Sequence, residues 1–166
     1  MAAKQQPSKV KIDLYPEGPI TFTAPVEIPT AAGDTVHIEF VFKHRTRKQL
    51  GELVDARVAR VRARFDAEDA ERKRREAERA AARERGEEVD DEPAFPPGKY
   101  LDDAVQEIAD SVEGLLEIAE GWNIDGHEFN AENLQQLCDL HGAAANRIST
   151  AYREALANGR LGNSKR

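Results

Sequence analysis

The sequence predicts an α+β protein: short N-terminal antiparallel strands, arranged as a hairpin or meander, followed by an all-helical C-terminal part with one long, partly charged helix. Three observations lead there. Apolar residues alternate with polar ones as far as Phe42, they recur at spacings of three and four from Leu50 onward, and a charged stretch without large apolar residues follows Phe65. The division expected is strands over 1–45, an amphipathic and then charged helix over 46–92, a Pro-rich linker over 93–99, an acidic helical bundle over 100–158 and a flexible tail over 159–166.

Three segments alternate. Val10, Ile12 and Leu14 are interleaved with Lys9, Lys11 and Asp13; a second segment carries Ile20, Phe22, Val26 and Ile28; a third carries Val36, Ile38, Phe40 and Phe42. "PEGP" and "PTAAGD" supply the Pro, Gly and Asp that turns use, so consecutive strands pair antiparallel in a meander. Pro25 cannot donate to a ladder, and a meander makes its strand the central one, so a break or bulge is expected there.

After "KHR" the period changes. Thr46 and Gln49 match a capping box, and Leu50, Leu53, Val54, Val58, Val61 and Phe65 form an apolar helical stripe. The opposite face carries Arg47, Lys48, Arg57, Arg60, Arg62 and Arg64. Beyond Phe65 the helix formers persist but no large apolar residue appears until Val89, so that stretch is either a solvated helix held by i,i+4 charge pairs or disordered. "EPAFPPG" ends any helix.

The C-terminal part has one apolar stripe in Leu101, Val105, Ile108, Val112, Leu115, Leu116 and Ala119, interrupted by Gly114, and Gly121 ends it. Asn130 is an N-cap, and Phe129 with Leu134 has the spacing of a hydrophobic staple. "EGWNIDGHEFNAENL" therefore reads as a helix–turn–helix corner of Gly121, Trp122, Asn123, Phe129, Asn130 and Leu134. Trp122, Ile124 and Phe129 are either staple residues or an aromatic anchor for a partner. Leu134, Leu137 and Cys138 face inward, Gly142 breaks the helix, and Ile148, Tyr152 and Leu156 line a last helix closed by Asn158 and Gly159. "LGNSKR" is expected to fray.

Composition narrows the function. The chain has 166 residues and a net charge of −7, which argues against a general nucleic-acid binder. It opens without an apolar leader and contains no run near the roughly 18 apolar residues of a membrane span, so a soluble protein is expected. Cys138 is the only cysteine. Cys138, His141 and His127 fall short of the four ligands of a structural zinc, and an acidic helix is the wrong setting for a thiolate nucleophile. Asp125, Glu128 and Glu132 are more simply solvated or helix-capping acids than an acid/base pair. With no phosphate loop and no nucleophile motif, no enzyme and no cofactor is expected.

"FKHRTR", "LLEIAEGWNIDGHEFNAENLQQL" and "AYREALANGRLGN" resemble the tail assembly chaperones of long-tailed, siphovirus-type bacteriophages. The matching residues are Gly121, Trp122, Asn123, Phe129, Asn130, Glu132, Asn133, Leu134, Leu161, Gly162 and Asn163, and the similarity spans roughly residues 34–65 and 105–163. The chain departs from the family pattern in the charged insertion 66–92, in Gly126-His127, and in "LHGAAAN" where an aromatic-Pro-Gly turn is expected. The resemblance implies a non-enzymatic role in the host bacterial cytoplasm. Such chaperones bind the long, helical tape measure protein, keep it soluble and give way as tail tube protein assembles around it; they are absent from the mature virion. The family pattern supplies no binding residues. The candidates taken from the apolar pattern are Leu101, Val105, Ile108, Val112, Leu115, Ile148, Tyr152 and Leu156. Two other readings stand beside it, a self-associating helical scaffold and a small regulator binding nucleic acid through helix 46–65; the oligomeric state is open.

Overall fold

A computed structural model describes residues 18–89 and 98–157. In chain order the elements are β1 (Thr21–Pro29), β2 (Thr35–Lys43), α1 (Arg47–Glu84), α2 (Lys99–Ile118), β3 (Ala119–Trp122), α3 (Ala131–Leu140) and α4 (Ala144–Ala157). The fold class is α+β, with one three-stranded antiparallel sheet in the order β1-β2-β3.

The β1–β2 hairpin follows from its alternation. Phe22, Ala24, Val26 and Ile28 from β1 and Ile38, Phe40 and Phe42 from β2 are buried, while the residues between them face out or are half-covered. Its turn closes through Thr30 N–H on Asp34 O at 2.7 Å and Gly33 N–H on Thr30 O at 3.0 Å, with Gly33 at φ +90°. The third strand comes from elsewhere than the meander predicts. The segment 9–14 lies outside the described residues, and β3, from between α2 and α3, pairs with the other side of β2. Four residues are too few to show a period. Ala119 continues the apolar spacing of α2, yet its backbone is already extended at φ −121° and ψ 159°, so the helix ends at Ile118 rather than at Gly121. This arrangement also corrects the expectation at Pro25. The strand runs unbroken through it, because β2 is central and β1 is an edge strand among the described residues, where a missing N–H is tolerated.

α4 lies against β1, and α2 packs on α3 and α4. Burying an aromatic or branched side chain contributes about 1.5–3 kcal/mol, and Phe40, Phe42, Ile28, Leu115, Leu134 and Ile148 are all enclosed. The ring of Tyr152 stacks on Phe22 with centroids 5.9 Å apart, and its hydroxyl donates to Lys43 O at 3.2 Å. Burial pushes the Tyr152 hydroxyl pKa up, with the nearby Arg45 acting the other way. Val112, Leu115, Ile148 and Tyr152 were candidate contact positions from sequence. They are core residues, because the sheet and the crossing of α2, α3 and α4 take up their side chains.

α1 starts as expected. Thr46 Oγ1 accepts from Gln49 N–H at 3.2 Å and Gln49 Oε1 accepts from Thr46 N–H at 2.9 Å. Only the start of its apolar stripe reaches the core, where Leu50 packs partly buried against it. No residue of α1 is buried, and Val54, Val58 and Phe65 are 59–60% exposed, since the sheet is already covered by the other helices. The charged stretch continues α1 as a solvated helix to Glu84, laced by pairs such as Lys73–Asp69 at 2.7 Å and Arg74–Glu71 at 2.7 Å. Most of the Pro-rich linker, the closing Asn158 and Gly159, and the tail lie outside the described residues.

Candidate partner-binding groove

The segment 43–46 joins β2 to α1 and also holds α2. Lys43 Nζ donates to Leu116 O at 2.8 Å and Arg45 Nη2 to Glu117 O at 3.1 Å, so two cations meet carbonyls of the last turn of α2, where helix groups lack partners and the dipole is negative. From that root α1 runs back along α2. Arg60 pairs with Glu117 at 3.1 Å and Glu113 at 3.3 Å, and Arg64 forks onto Asp110 at 2.8 and 3.1 Å. Rising numbers in α1 meet falling numbers in α2, so the two helices are antiparallel. The hydrogen bond from Arg64 holds the Asp110 carboxyl below its usual range against the effect of partial burial, with Gln106 adding a second donor. Arg57 lays its guanidinium over Gly114, where a Cβ would stand 3.5 Å from Nη1. Three of the six cations in the sequence stripe therefore face α2. They are spent within the chain instead of forming a phosphate-binding face.

Because these contacts are polar and long-armed, α1 does not close onto the bundle. An open groove of about 770 Å³ remains between α1 on one side and α2, the end of α3 and α4 on the other. Leu50, Leu53 and Val54 form one wall and Ile108 and Ile118 the opposite one. Ala104, Gly114, Gly142 and Ala145 keep the space open with short side chains or none. Cys138 borders the groove, is buried, and has its thiol pKa raised by that burial, as suits a packed, unreactive sulfur. Among the described residues no three His, Cys, Asp or Glu side chains are grouped to hold a metal ion. Nor is any helix of the described residues long and apolar enough to cross a membrane.

The Trp122 region lies at the opposite edge of the sheet. Trp122 pairs with Phe40, its ring meets Phe40 and Phe129 edge-on at 5.8 and 5.2 Å, and its Nε1–H donates to His127 O at 2.7 Å. Gly121 lets β3 come close, since a Cβ there would sit 3.4 Å from Val41 Cβ. Glu120 is the extra residue of a bulge opposite Val41 and Phe42. Asn123 extends the pairing past the strand: its N–H donates to Glu39 O at 3.1 Å, and its Oδ1 accepts from Glu39 N–H at 2.9 Å. Asn130 caps α3 by accepting from Asn133 N–H at 2.8 Å, and Asn133 Nδ2 donates to Glu128 O at 2.8 Å. Leu134 is fully buried, and Trp122, Ile124 and Phe129 pack partly buried against the core.

Of the candidate contact residues, Leu101 and Val105 are 68% and 50% exposed on the first turns of α2, Ile108 is half-buried at the groove, and Leu156 is half-buried on the core. Sequence reasoning did not associate Leu50, Leu53 and Val54 with a binding face, because an apolar stripe on a helix reads first as core. Gly114 gave a partial signal, since it is where the Arg57 side chain of α1 lies over α2.

A family model described as phage tail assembly chaperone matches residues 8–163, nearly the whole chain. Comparison with curated proteins gave no match, and neither did comparison with solved structures.

Proposed function

The chain belongs to the phage tail assembly chaperone family, and from that premise we propose that it binds helical segments of the tape measure protein in the groove between α1 and α2–α4. It keeps that protein soluble in the host cytoplasm and releases it as tail tube protein assembles, without entering the virion. The observation that supports this reading is the groove itself, open to solvent, bounded by helices and lined by Leu50, Leu53, Val54, Ile108 and Ile118 together with polar residues such as Arg57, Glu107 and Asp139. On helix dimensions of about 10 Å across and 5.4 Å per turn, its volume suits about two turns of a partner helix. The surface outside the groove is highly charged, which favours solubility of a loaded complex. The role is non-enzymatic.

Co-expression with the tape measure protein of the same phage tests the proposal. The wild-type chain should hold it in the soluble fraction and co-purify with it. Gly114→Leu fills the groove from a helical position with good propensity, so it should keep the circular dichroism spectrum and thermal midpoint and lose the partner. Failure of the wild-type chain to solubilise an expressed tape measure protein would end the chaperone reading. Retention by Gly114→Leu would move the site elsewhere.

A further inference from the structure

We infer that α1 pairs with the α1 of a second copy of this chain, antiparallel, about a two-fold axis between residues 59 and 60. The inference does not depend on what the groove accepts. Val54, Val58 and Phe65 are 59–60% exposed and Val61 is half-buried, so one apolar stripe of α1 is left largely uncovered by the described residues. It lies about a quarter-turn round the helix from Arg57, Arg60 and Arg64, which face α2. The spacing of four, three and four is that of a coiled-coil seam, and it reads the same from either end. In an antiparallel pair Val54 therefore meets Phe65 of the copy while Val58 meets Val61 of the copy. The flanking charges select the same arrangement. On the side away from α2, Asp55 comes opposite Arg62 of the copy, and among the described residues neither has an ion-pair partner in its own chain. Lys48 and Asp69 of the copy, the next such pair outward, are also opposite in sign, with Asp69 already shared by Arg72 and Lys73. On the α2 side Arg57 comes opposite Arg64 of the copy. There the Arg64 charge is met by Asp110 of its own chain, and Arg57 reaches over Gly114 toward the same carboxylate. A parallel pair would instead set Arg57 against Arg62 of the copy and Asp55 against Leu50. Arg47 would meet Arg72, so the match is confined to residues 48–69, about 33 Å of helix, and a contact that short gives a weak dimer. Val54 is the one residue of the stripe that also borders the groove.

Sedimentation of the full chain from about 10 µM to about 1 mM should show a reversible dimer that grows with concentration. Val58→Glu changes an exposed position on a helix with no buried residue, so it should keep the circular dichroism spectrum and thermal midpoint and weaken the dimer about tenfold or more. Asp55→Arg sets two cations against each other across the seam and should also weaken it about tenfold. Asp55→Arg combined with Arg62→Asp exchanges the signs and should recover the wild-type dimer. Orientation is read from spin labels at Ala70→Cys, an exposed position, whereas Cys138 is buried. The two labels should lie about 30–40 Å apart in the antiparallel pair and about 15–25 Å apart in a parallel one. A chain that stays monomeric over the whole range, a dimer indifferent to Val58→Glu, or the short label distance overturns the inference. So does a double charge variant as weak as Asp55→Arg alone, since the two residues then do not meet across the seam.

Discussion

Trp122 gives the sharpest quantitative prediction, because two roles for its ring predict different losses of stability for the same loss of binding. In the structure the indole is half-buried, edge-on to Phe40 and Phe129, and bonded through Nε1–H to His127 O at 2.7 Å. Full burial would put Trp→Ala at about 3–5 kcal/mol, and partial exposure moves it to the low end of that range. Aromatic pairs contribute about 0.5–1.5 kcal/mol beyond area, and the hydrogen bond about 1 kcal/mol, so Trp122→Ala should cost about 3 kcal/mol. Trp122→Phe keeps a ring against Phe40 and drops the donor, so it should cost about 1 kcal/mol. Urea unfolding followed by circular dichroism measures both, since the substitution removes the only intrinsic tryptophan signal. In the structural role, binding of the tape measure protein falls only in step with unfolding. A folded Trp122→Ala variant, destabilised by less than about 1 kcal/mol and yet unable to bind, would make the ring a partner contact and refute this account.

Three further outcomes follow from the same contacts. The carboxyl of Asp110 is held low by Arg64, so its contribution is complete above the unfolded value of about 3.9 and is lost as the pH falls through the lower folded value; a distance probe between α1 and α2 should report loosening in that acid window and little pH response there in Asp110→Asn. Cys138 is buried with its thiol pKa raised, so alkylation at neutral pH should be slow in the folded chain and fast in urea, and rapid labelling of native protein would contradict the packing described. Replacing residues 68–90 with a short Gly/Ser linker removes a helix segment with no buried residue, so the thermal midpoint should fall by only a few degrees, equivalent to less than about 1 kcal/mol. Cooperative loss of the fold would show that the segment packs.

What could be read from the sequence was what local chemistry decides. The period-two run of β2, the Thr46/Gln49 capping box and the Asn130 cap each depend on neighbours within a few residues, and each stands in the structure. What could not be read depends on which surface is already taken. Val54, Val58 and Phe65 look like a core stripe until α2 and α4 are seen to cover the sheet. Val112, Leu115, Ile148 and Tyr152 have the spacing of an exposed docking face, and that spacing is equally the signature of a helix buried against strands. β3 was hidden because its apolar residues continue the rhythm of α2 while its backbone has changed. The groove is a property of distance between helices, and a sequence pattern carries no distance.

The two sequence blocks that resemble the family come together at one structural joint. From the first block, Phe42 is buried in the core, Lys43 and Arg45 hold the last carbonyls of α2, and Thr46 starts α1. From the second, Leu116 and Glu117 offer those carbonyls, and Gly121, Trp122 and Asn123 close the sheet against β2. The root of α1 is thus held by donors from the first block and acceptors from the second. The groove walls are a separate set of side chains within the matched residues 8–163: Leu50, Leu53, Val54, Glu107, Ile108 and Asp139 take no part in the joint. Substitution at the joint should therefore alter stability and partner binding together, whereas substitution on the walls should alter which helix is accepted while the fold stays intact. That separation is measurable by comparing Arg45→Ala with Glu107→Lys in the same unfolding and binding assays. Parallel losses for both variants would mean that joint and groove are one unit.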